Sequence, residues 1–263
     1  MNVKKISVLV AQFPITMDIR QNLDVIITLI PYAESGDLII LPEGALSGYS
    51  EDPAFLKKLS SSVLTKSLKY LQTVVVQKKV HIIFGSCIKA DSEWYNTAIY
   101  FGPKNETFIY QKINLATCER GHFTAGSQLP FININVNEKN IRLGIQLCRE
   151  IRFPEQWKYL AQSGAEFFVY LTNAIGDDTQ APIWRSHLIS RAAENQRFVL
   201  CANNAQPEQK CPSMIVDPQG RVIWEVLSPK VEYIRCTIDL SQISNWYLNQ
   251  SRDDIIRIEE SEH

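Results

Sequence analysis

Short apolar runs alternate along this chain with longer segments of helical period, and this alternation predicts a layered α/β fold. In the second helical segment, Leu64, Leu68, Leu71 and Val75 recur at helical spacing and form one apolar stripe. The helices predicted for the first half lie at about 20–33 and 60–78. Its predicted strands lie at about 5–12, 37–41, 80–86, 95–102 and 106–111.

The second half of the chain repeats this order. Its predicted helices lie at about 154–163 and 182–196. Its predicted strands lie at about 141–147, 166–172, 198–203, 212–217, 221–226 and 231–238. Each half therefore follows the order strand, helix, strand, helix and then a meander, which suits two similar sheets packed face to face with helices outside. Since no Gly/Ser linker divides the halves, we expect residues 1–263 to form a single domain, with a C-terminal arm from about residue 240.

The composition is that of an ordinary globular protein, with 263 residues of which 45% are hydrophobic and 21% charged. A formal net charge of -1 provides no basic field, so we expect no nucleic-acid partner. No stretch approaches the ~20 apolar residues that cross a membrane, so we expect no membrane partner. The N-terminal run MNVKKISVLVAQF enters a strand pattern without a small-residue cleavage site, and we expect a cytoplasmic protein.

The six cysteines are scattered, with no CxxC pair and no His-Cys cluster at zinc-ligand spacing. They are therefore interpreted as reduced thiols, and no metal site is expected. Most are expected to pack as small apolar residues. Cys118 and Cys148 differ because they lie in segments that carry candidate chemistry.

Three reactive side chains follow predicted strands. Cys148 ends the apolar run IRLGIQL before a proline-started helix, Glu43 follows DLIILP, and Lys112 follows FIYQ. A thiol needs a base to ionise it and a developing oxyanion needs a positive donor, so the set suits nucleophilic acyl chemistry. Because ligands of α/β folds collect at the carboxyl ends of strands, Glu43, Cys148 and Asn173 can converge on one cleft. Taken singly, these residues could equally be a solvated acid, a solvated lysine and a core cysteine.

The blocks LPEGALSGY, YQKINLATCERGHFTAG and CREIRFPEQW resemble the three signature stretches of the nitrilase superfamily, the carbon-nitrogen hydrolases, in the same order. YLTNA, IWRSHLISRAAENQRFVLCANN and PSMIVDPQGRVIWE are similar to later blocks, so the resemblance covers nearly the whole chain. It implies a four-layer α-β-β-α sandwich of two similar mixed sheets. It also implies hydrolysis of a non-peptide amide, a nitrile or a carbamoyl group by a Glu-Lys-Cys triad, without metal or organic cofactor.

The resemblance assigns the roles as follows. Glu43 takes the thiol proton of Cys148 and later returns it to the leaving amine. This role requires that burial raise the pKa of Glu43, while nearby Lys112 opposes the rise. Lys112 stabilises the tetrahedral oxyanion, with the backbone N–H of Arg149 as a second donor. Glu119 matches an additional acid that many family members carry seven residues after the lysine. A surface glutamate paired with Arg120 is the alternative for Glu119.

Two departures from the family pattern affect the substrate rather than the reaction class. Asn114 stands where the lysine block often reads K-x-H-L, and Arg149 stands where Tyr or Trp often follows the nucleophile. Arg149 and Arg152 could bind a substrate carboxylate, or could form ion pairs with Glu150 or Glu155. Nitrile-cleaving relatives tend to carry Trp-Glu after the nucleophile, whereas this chain has Arg149 and Glu150 there. We therefore expect the substrate to be a small-molecule amide of a small carboxylic acid. The alternatives are an N-carbamoyl hydrolase, a nitrilase, an acyl or amide transferase with the same triad, and a non-catalytic binding protein.

Family members pair, so a homodimer or a higher homo-oligomer is expected. The segment near 154–163 and the C-terminal arm offer aromatic and apolar side chains for such a contact, while core packing is the alternative for them. These side chains are Trp157, Tyr159, Leu160, Trp246 and Tyr247.

Overall fold

The structure, a computed structural model, describes residues 5–136 and 139–259. The helices are α1 (Ile19–Leu29), α2 (Ser61–Lys78), α3 (Pro154–Gln162) and α4 (Ala181–Asn195). The strands are β1 (Lys5–Gln12), β2 (Leu38–Ile40), β3 (His81–Ala90), β4 (Glu93–Phe101), β5 (Thr107–Gln111), β6 (Phe131–Val136), β7 (Lys139–Leu147), β8 (Phe167–Thr172), β9 (Phe198–Asn203), β10 (Ser213–Val216), β11 (Val222–Val226) and β12 (Glu232–Asp239). Parts of two predictions, the N-terminal residues 1–4 and the arm residues 260–263, lie outside the described residues.

The strands form two mixed sheets of the same internal order. The first is β12-β1-β2-β3-β4-β5 and the second is β6-β7-β8-β9-β10-β11. In each sheet, three central strands are parallel, one antiparallel strand flanks them on one side, and two antiparallel strands follow on the other. The prediction of two similar mixed sheets is therefore confirmed.

One strand assignment was wrong and one strand was missed. The segment predicted at 231–238 forms β12, which pairs with β1 of the first sheet rather than closing the meander of the second half. Its counterpart in the second sheet is β6, which the sequence analysis did not predict. The segment FININV alternates buried and exposed residues as a strand does, but asparagine is depleted in strands and weakens that signal.

Alternate residues of the strands separate the layers. On β1, Ile6, Val8 and Val10 belong to the core between the sheets, whereas Leu9 and Ala11 pack beneath α1 and α2. The α2 stripe is buried against the same face, as predicted. Helices α3 and α4 cover the second sheet and complete the α-β-β-α sandwich.

Local signals explain where the helices begin and end. The Asp18 carboxylate accepts the N–H groups of the first turn of α1, and the Ser60 hydroxyl accepts that of Val63 in α2. Helix α2 ends where Lys79 takes a left-handed conformation, and Pro154 occupies the first turn of α3. Across residues 5–136 and 139–259, no helix combines the length and the apolar character needed to cross a membrane.

The predicted contact residues differ in burial, and Tyr159 is half-buried and packs against the core. Trp157 and Leu160 are completely buried in the core, so their prediction as subunit-contact residues was wrong. Trp246 and Tyr247, in contrast, are 58% and 53% exposed and stack edge to face on one another. The exposed surface of the arm is thus available for contact with a second copy of the protein. The buried side chains of α3 instead pack in the core of the same molecule.

Candidate active site

The predicted reactive residues lie at strand ends. Cys148 directly follows β7, Lys112 directly follows β5, and Asn173 directly follows β8. Glu43 lies three residues beyond β2, and Glu119 lies in the loop between β5 and β6. Cys148 and Asn173 thus lie at the carboxyl ends of the parallel strands β7 and β8, and Glu43 lies beyond that of the parallel strand β2.

The loop that carries Glu43 is fixed against β3. The N–H of Gly85 donates to Pro42 O at 2.9 Å, and the N–H of Leu46 donates to Gly85 O at 3.2 Å. Any side chain at position 85 would overlap the backbone of Glu43, so glycine is required by this close approach. Gly44 has φ +70°, which lets the chain turn directly after the acid. The Glu43 side chain is thereby held inside the protein.

Lys112 lies between two buried carboxylates. Its Nζ is 3.0 Å from Oε1 of Glu43 and 3.0 Å from Oε1 of Glu119. All three side chains are buried. The alternative for Glu119, a surface glutamate paired with Arg120, is therefore wrong.

Asn96 joins the same cluster and was missed in the sequence. Its Nδ2 donates to Glu43 Oε1 at 2.7 Å and to Glu119 Oε1 at 2.6 Å, so one amide group links the two acids. The backbone carbonyl oxygen of Asn96 accepts the backbone N–H of Lys112 at 2.9 Å. The available signal was an asparagine, a residue depleted in strands, within the strand segment WYNTAIYF.

Glu119 accepts two further hydrogen bonds. Tyr49 donates its hydroxyl to Oε1 at 3.0 Å, and the N–H of Ala116 donates to Oε2 at 2.5 Å. Together with Asn96 and Lys112, these donors occupy both oxygens of the carboxylate. Glu119 is thus held as an ionised group with a fixed orientation.

The two acids differ in their pKa values. Burial raises the pKa of Glu43, and the positive charge of Lys112 opposes the rise, as expected from the sequence. Burial also acts on Glu119, but Lys112, the Ala116 N–H and Asn96 outweigh it and lower its pKa. Burial alone would lower the pKa of Lys112, yet the neighbouring acids and Cys148 raise it. Environments that separate the pKa values of two carboxylates in this way define one acid that exchanges protons, here Glu43, and one acid that stays charged, here Glu119.

Cys148 sits on a sharp turn. Its φ of +40° lies in the left-handed region that a non-glycine residue rarely adopts. The Tyr170 hydroxyl donates to the carbonyl oxygen of Cys148 at 2.7 Å and helps to hold this conformation. Strained backbone of this kind collects at functional sites, where the surrounding structure compensates for it.

Glu150 connects the nucleophile turn with the lysine loop. Its Oε1 accepts the Tyr110 hydroxyl at 2.8 Å, the N–H of Ile113 at 2.8 Å and that of Asn114 at 3.2 Å. Its Oε2 accepts the N–H of Leu147 at 2.7 Å. Glu150 is therefore a buried structural acid. The alternative of an ion pair between Glu150 and Arg149 or Arg152 is therefore wrong.

An open cleft of about 560 Å³ lies over Cys148. Arg149 and Arg152 are exposed on its wall, with the Arg152 guanidinium 5.2 Å from the ring centroid of Trp184. Asn173 also lines the cleft, and its Oδ1 accepts from Gln209 Nε2 at 2.5 Å. The remaining lining residues are Tyr49, Glu51, Ala116, Thr117, Cys118, Ala174, Ile175 and Gln180.

The thiol of Cys148 is protonated in the resting site. Burial raises the pKa of Cys148 to about 12, the charge of Glu43 adds to the rise, and Lys112 opposes it. At neutral pH the sulfur therefore needs a base before it can attack. Glu43 Oε2 is buried and forms no hydrogen bond to any described residue, so this oxygen can receive a proton.

A second cavity and the arrangement of the metal-ligating types of side chain also bear on where the site lies. A larger cavity of about 640 Å³ lies between α1 and the 50–63 segment and contains none of the predicted site residues. Within the described part of the chain, no group of three or more His, Cys, Asp or Glu side chains is arranged to hold a metal ion. Cys148 lines the smaller cleft, and Tyr49 and Ala116 of the same lining donate hydrogen bonds to Glu119 of the buried cluster.

Comparison with known proteins identifies the family. A family model for carbon-nitrogen hydrolases matches residues 7–247. The chain is 30% identical over 212 residues to an (R)-stereoselective amidase from Pseudomonas sp., covering 79% of this chain and 74% of that protein. It is 30% identical over 219 residues to 2-oxoglutaramate amidase from Bacillus subtilis, covering 80% of this chain and 81% of that protein.

A mutant of the Nesterenkonia AN1 amidase, from the nitrilase superfamily, is similar in structure, with a TM-score of 0.80 and 20% identity over 96% of each chain. The protein belongs to the carbon-nitrogen hydrolase family. The four-layer sandwich is the fold that it shares with the Nesterenkonia enzyme.

Proposed function

We propose that this protein is an amidase that hydrolyses the amide of a small carboxylic acid through an acyl-enzyme on Cys148. The observation that carries the proposal is the buried Glu43–Lys112–Glu119 cluster beside a cysteine on a strained turn. The cluster supplies a base, a cation and a fixed acid, and Tyr49 and Ala116, which donate to Glu119, line the open cleft over Cys148. These are the groups that nucleophilic acyl chemistry requires.

In the first half of the reaction, Glu43 Oε2 takes the proton of the Cys148 thiol as the sulfur attacks the amide carbonyl carbon. The carbonyl oxygen of the substrate becomes negatively charged. Lys112 and the backbone N–H of Arg149 stabilise this charge. Glu43 then gives the proton to the amide nitrogen, the C–N bond breaks, and ammonia or an amine leaves. A thioester on Cys148 remains.

In the second half, Glu43 removes a proton from a water molecule, and the oxygen attacks the thioester carbon. The tetrahedral intermediate collapses with loss of the sulfur, which regains the proton, and the carboxylic acid leaves. Glu119 remains ionised throughout, because Tyr49, Asn96 and the N–H of Ala116 hold it in that form. Its role is to keep Lys112 charged and in place.

The names of the relatives support an amide substrate. One relative is a 2-oxoglutaramate amidase, and one Nesterenkonia amidase structure is a complex with butyramide. Another shows the acetamide moiety of fluoroacetamide added covalently at the active site cysteine of that enzyme. On the present chain, Arg149 and Arg152 line the cleft and Asn173 faces it, so we assign these residues to substrate binding, with the arginines toward a carboxylate.

Two finer assignments stay predictions. A homodimer is expected through the exposed surface of the arm, including Trp246 and Tyr247, and a monomer in light scattering at micromolar concentration would contradict it. The second prediction is a cytoplasmic location.

An ammonia-release assay tests the function. Matched amides, nitriles and N-carbamoyl amino acids would be compared, each with and without a second carboxylate, and with Cys148→Ala as the blank. We expect the largest kcat/KM for amides. A larger kcat/KM for the matched nitrile would contradict the amidase assignment, and equal values for neutral and anionic amides would remove the carboxylate from the proposal.

A further inference from the structure

Thr172 ends the strand next to the one that carries Cys148. Strands β7 and β8 are parallel, and Leu147 pairs with Leu171 in their register. Cys148 directly follows Leu147 and Thr172 directly follows Leu171, so the two residues are neighbours at the carboxyl edge of the sheet. Neither the sequence motifs nor the proposed mechanism gives Thr172 a role.

The hydroxyl of Thr172 is buried and unpaired. The residue has no exposed surface, and its Oγ1 meets hydrogen-bond geometry with no atom of the described residues. Thr97, an equally buried threonine on β4, donates its hydroxyl to Ser86 O at 2.6 Å. Because a buried hydroxyl without a partner is unfavourable, the exception at Thr172 calls for a physical reason.

The donors around the sulfur are otherwise committed. Tyr170 donates its hydroxyl to Cys148 O, and Lys112 is shared between the two acids. A thiol is a weak acceptor, but a thiolate is a strong one, and a threonine hydroxyl can rotate to meet it. A hydrogen bond that strengthens as charge develops lowers a barrier more than one made equally in the resting state.

We propose that the Thr172 hydroxyl donates a hydrogen bond to Cys148 Sγ as the thiolate forms, which makes Thr172 a further catalytic residue. The proposal rests on the proposed role of Cys148 as the nucleophile. It accounts for the unpaired hydroxyl, since the sulfur becomes a strong acceptor only when it loses its proton. Although burial dominates the pKa of Cys148 and raises it, the Thr172 hydroxyl acts in the opposite direction.

The test compares Thr172→Val, which replaces the hydroxyl by a methyl group, with Thr172→Ser, which keeps it. The second-order rate of Cys148 alkylation by iodoacetamide is measured against pH, and peptide mass mapping separates Cys148 from Cys118. We expect Thr172→Val to be alkylated about tenfold more slowly, as for loss of a hydrogen bond to a charged group, and to need a higher pH for the same rate. Thr172→Ser should recover most of the rate.

One control variant and one substitute pair of variants make the result specific. Thr73→Val makes the same chemical change on the exposed face of α2 and should alkylate as the parent does. If Thr172→Val does not fold, the comparison of Thr172→Ala with Thr172→Ser provides the same contrast. Thermal unfolding of each variant identifies those that fold.

The outcomes separate this proposal from the proposed function. If Thr172→Val matches the parent in rate and pH profile while Cys148→Ala is inactive, the role of Thr172 is wrong and the nucleophile stands. If Cys148→Ala keeps its turnover, the proposed function is wrong and the proposal for Thr172 is overturned with it.

Discussion

The Nζ of Lys112 lies 3.0 Å from Oε1 of Glu43, and both side chains are fully buried. A buried ion pair is retained only where further hydrogen bonds satisfy its atoms, and here Asn96 and Glu119 provide them. The pair leaves the second oxygen of Glu43 without a partner among the described residues. The lysine therefore orients one oxygen of the acid and leaves the other for proton transfer.

Replacement of Glu43 by Gln should remove activity while the fold remains. The amide oxygen of Gln can still accept from Lys112 and Asn96, but the side chain cannot take a proton from the thiol. Loss of a general base typically lowers kcat by ~10²–10⁴. Steady-state kinetics with a circular dichroism check would measure this, and near-normal turnover would show that the proton-transfer role is wrong.

Replacement of Glu119 by Gln should leave the reactivity of the Cys148 thiol unchanged and lower the turnover of substrate. Glu119 positions Lys112 but is not asked to take the proton of Cys148. We expect Cys148 to remain open to alkylation at a similar rate, while turnover of an amide falls. Parallel loss of alkylation and turnover would instead indicate that Glu119 acts on the thiol.

Asn96→Ala should lower stability and activity together. The change removes one amide that donates to both acids and leaves two buried carboxylates less satisfied. The expected loss is about 1–3 kcal/mol in the free energy of unfolding, measured by urea titration. Asn249→Ala, on the exposed arm, is the matched control and should change little. Unchanged stability of Asn96→Ala would contradict the bridging role.

The pH dependence of Cys148 reactivity follows from its pKa of about 12. A thiolate is the reactive form, and below this pKa its fraction rises about tenfold with each pH unit. Without substrate, alkylation of Cys148 should therefore rise steeply from pH 7 to pH 10 without a plateau. A plateau by pH 8 would indicate a thiolate already formed in the resting enzyme and would contradict the need for Glu43.

Much of the architecture could be predicted from periodicity. The strands of the first half and the helices were found because their apolar patterns are local. The place of β12 beside β1 was not found, because this pairing joins the two ends of the chain and leaves no local signal. Trp157 was predicted as a contact residue, but an aromatic residue on an amphipathic helix serves a core and an interface equally well.

The candidate site divides in the same way. Glu43, Lys112 and Cys148 could be proposed because they follow strands and lie in ordered motifs. Asn96 and Glu150 could not, because their partners lie far away in the sequence and the bonds exist only in the folded chain. Thr172 belongs with them, since its position beside Cys148 depends on the register of two strands.

The most direct test of the account is the intact mass of the protein, quenched during turnover of an amide substrate. The account predicts a population heavier by the acyl group less one hydrogen, mapped to Cys148 by peptide analysis. In Cys148→Ala the adduct should be absent, and turnover should fall by several powers of ten. An adduct that maps to Cys118, or full activity in Cys148→Ala, would contradict the central claim.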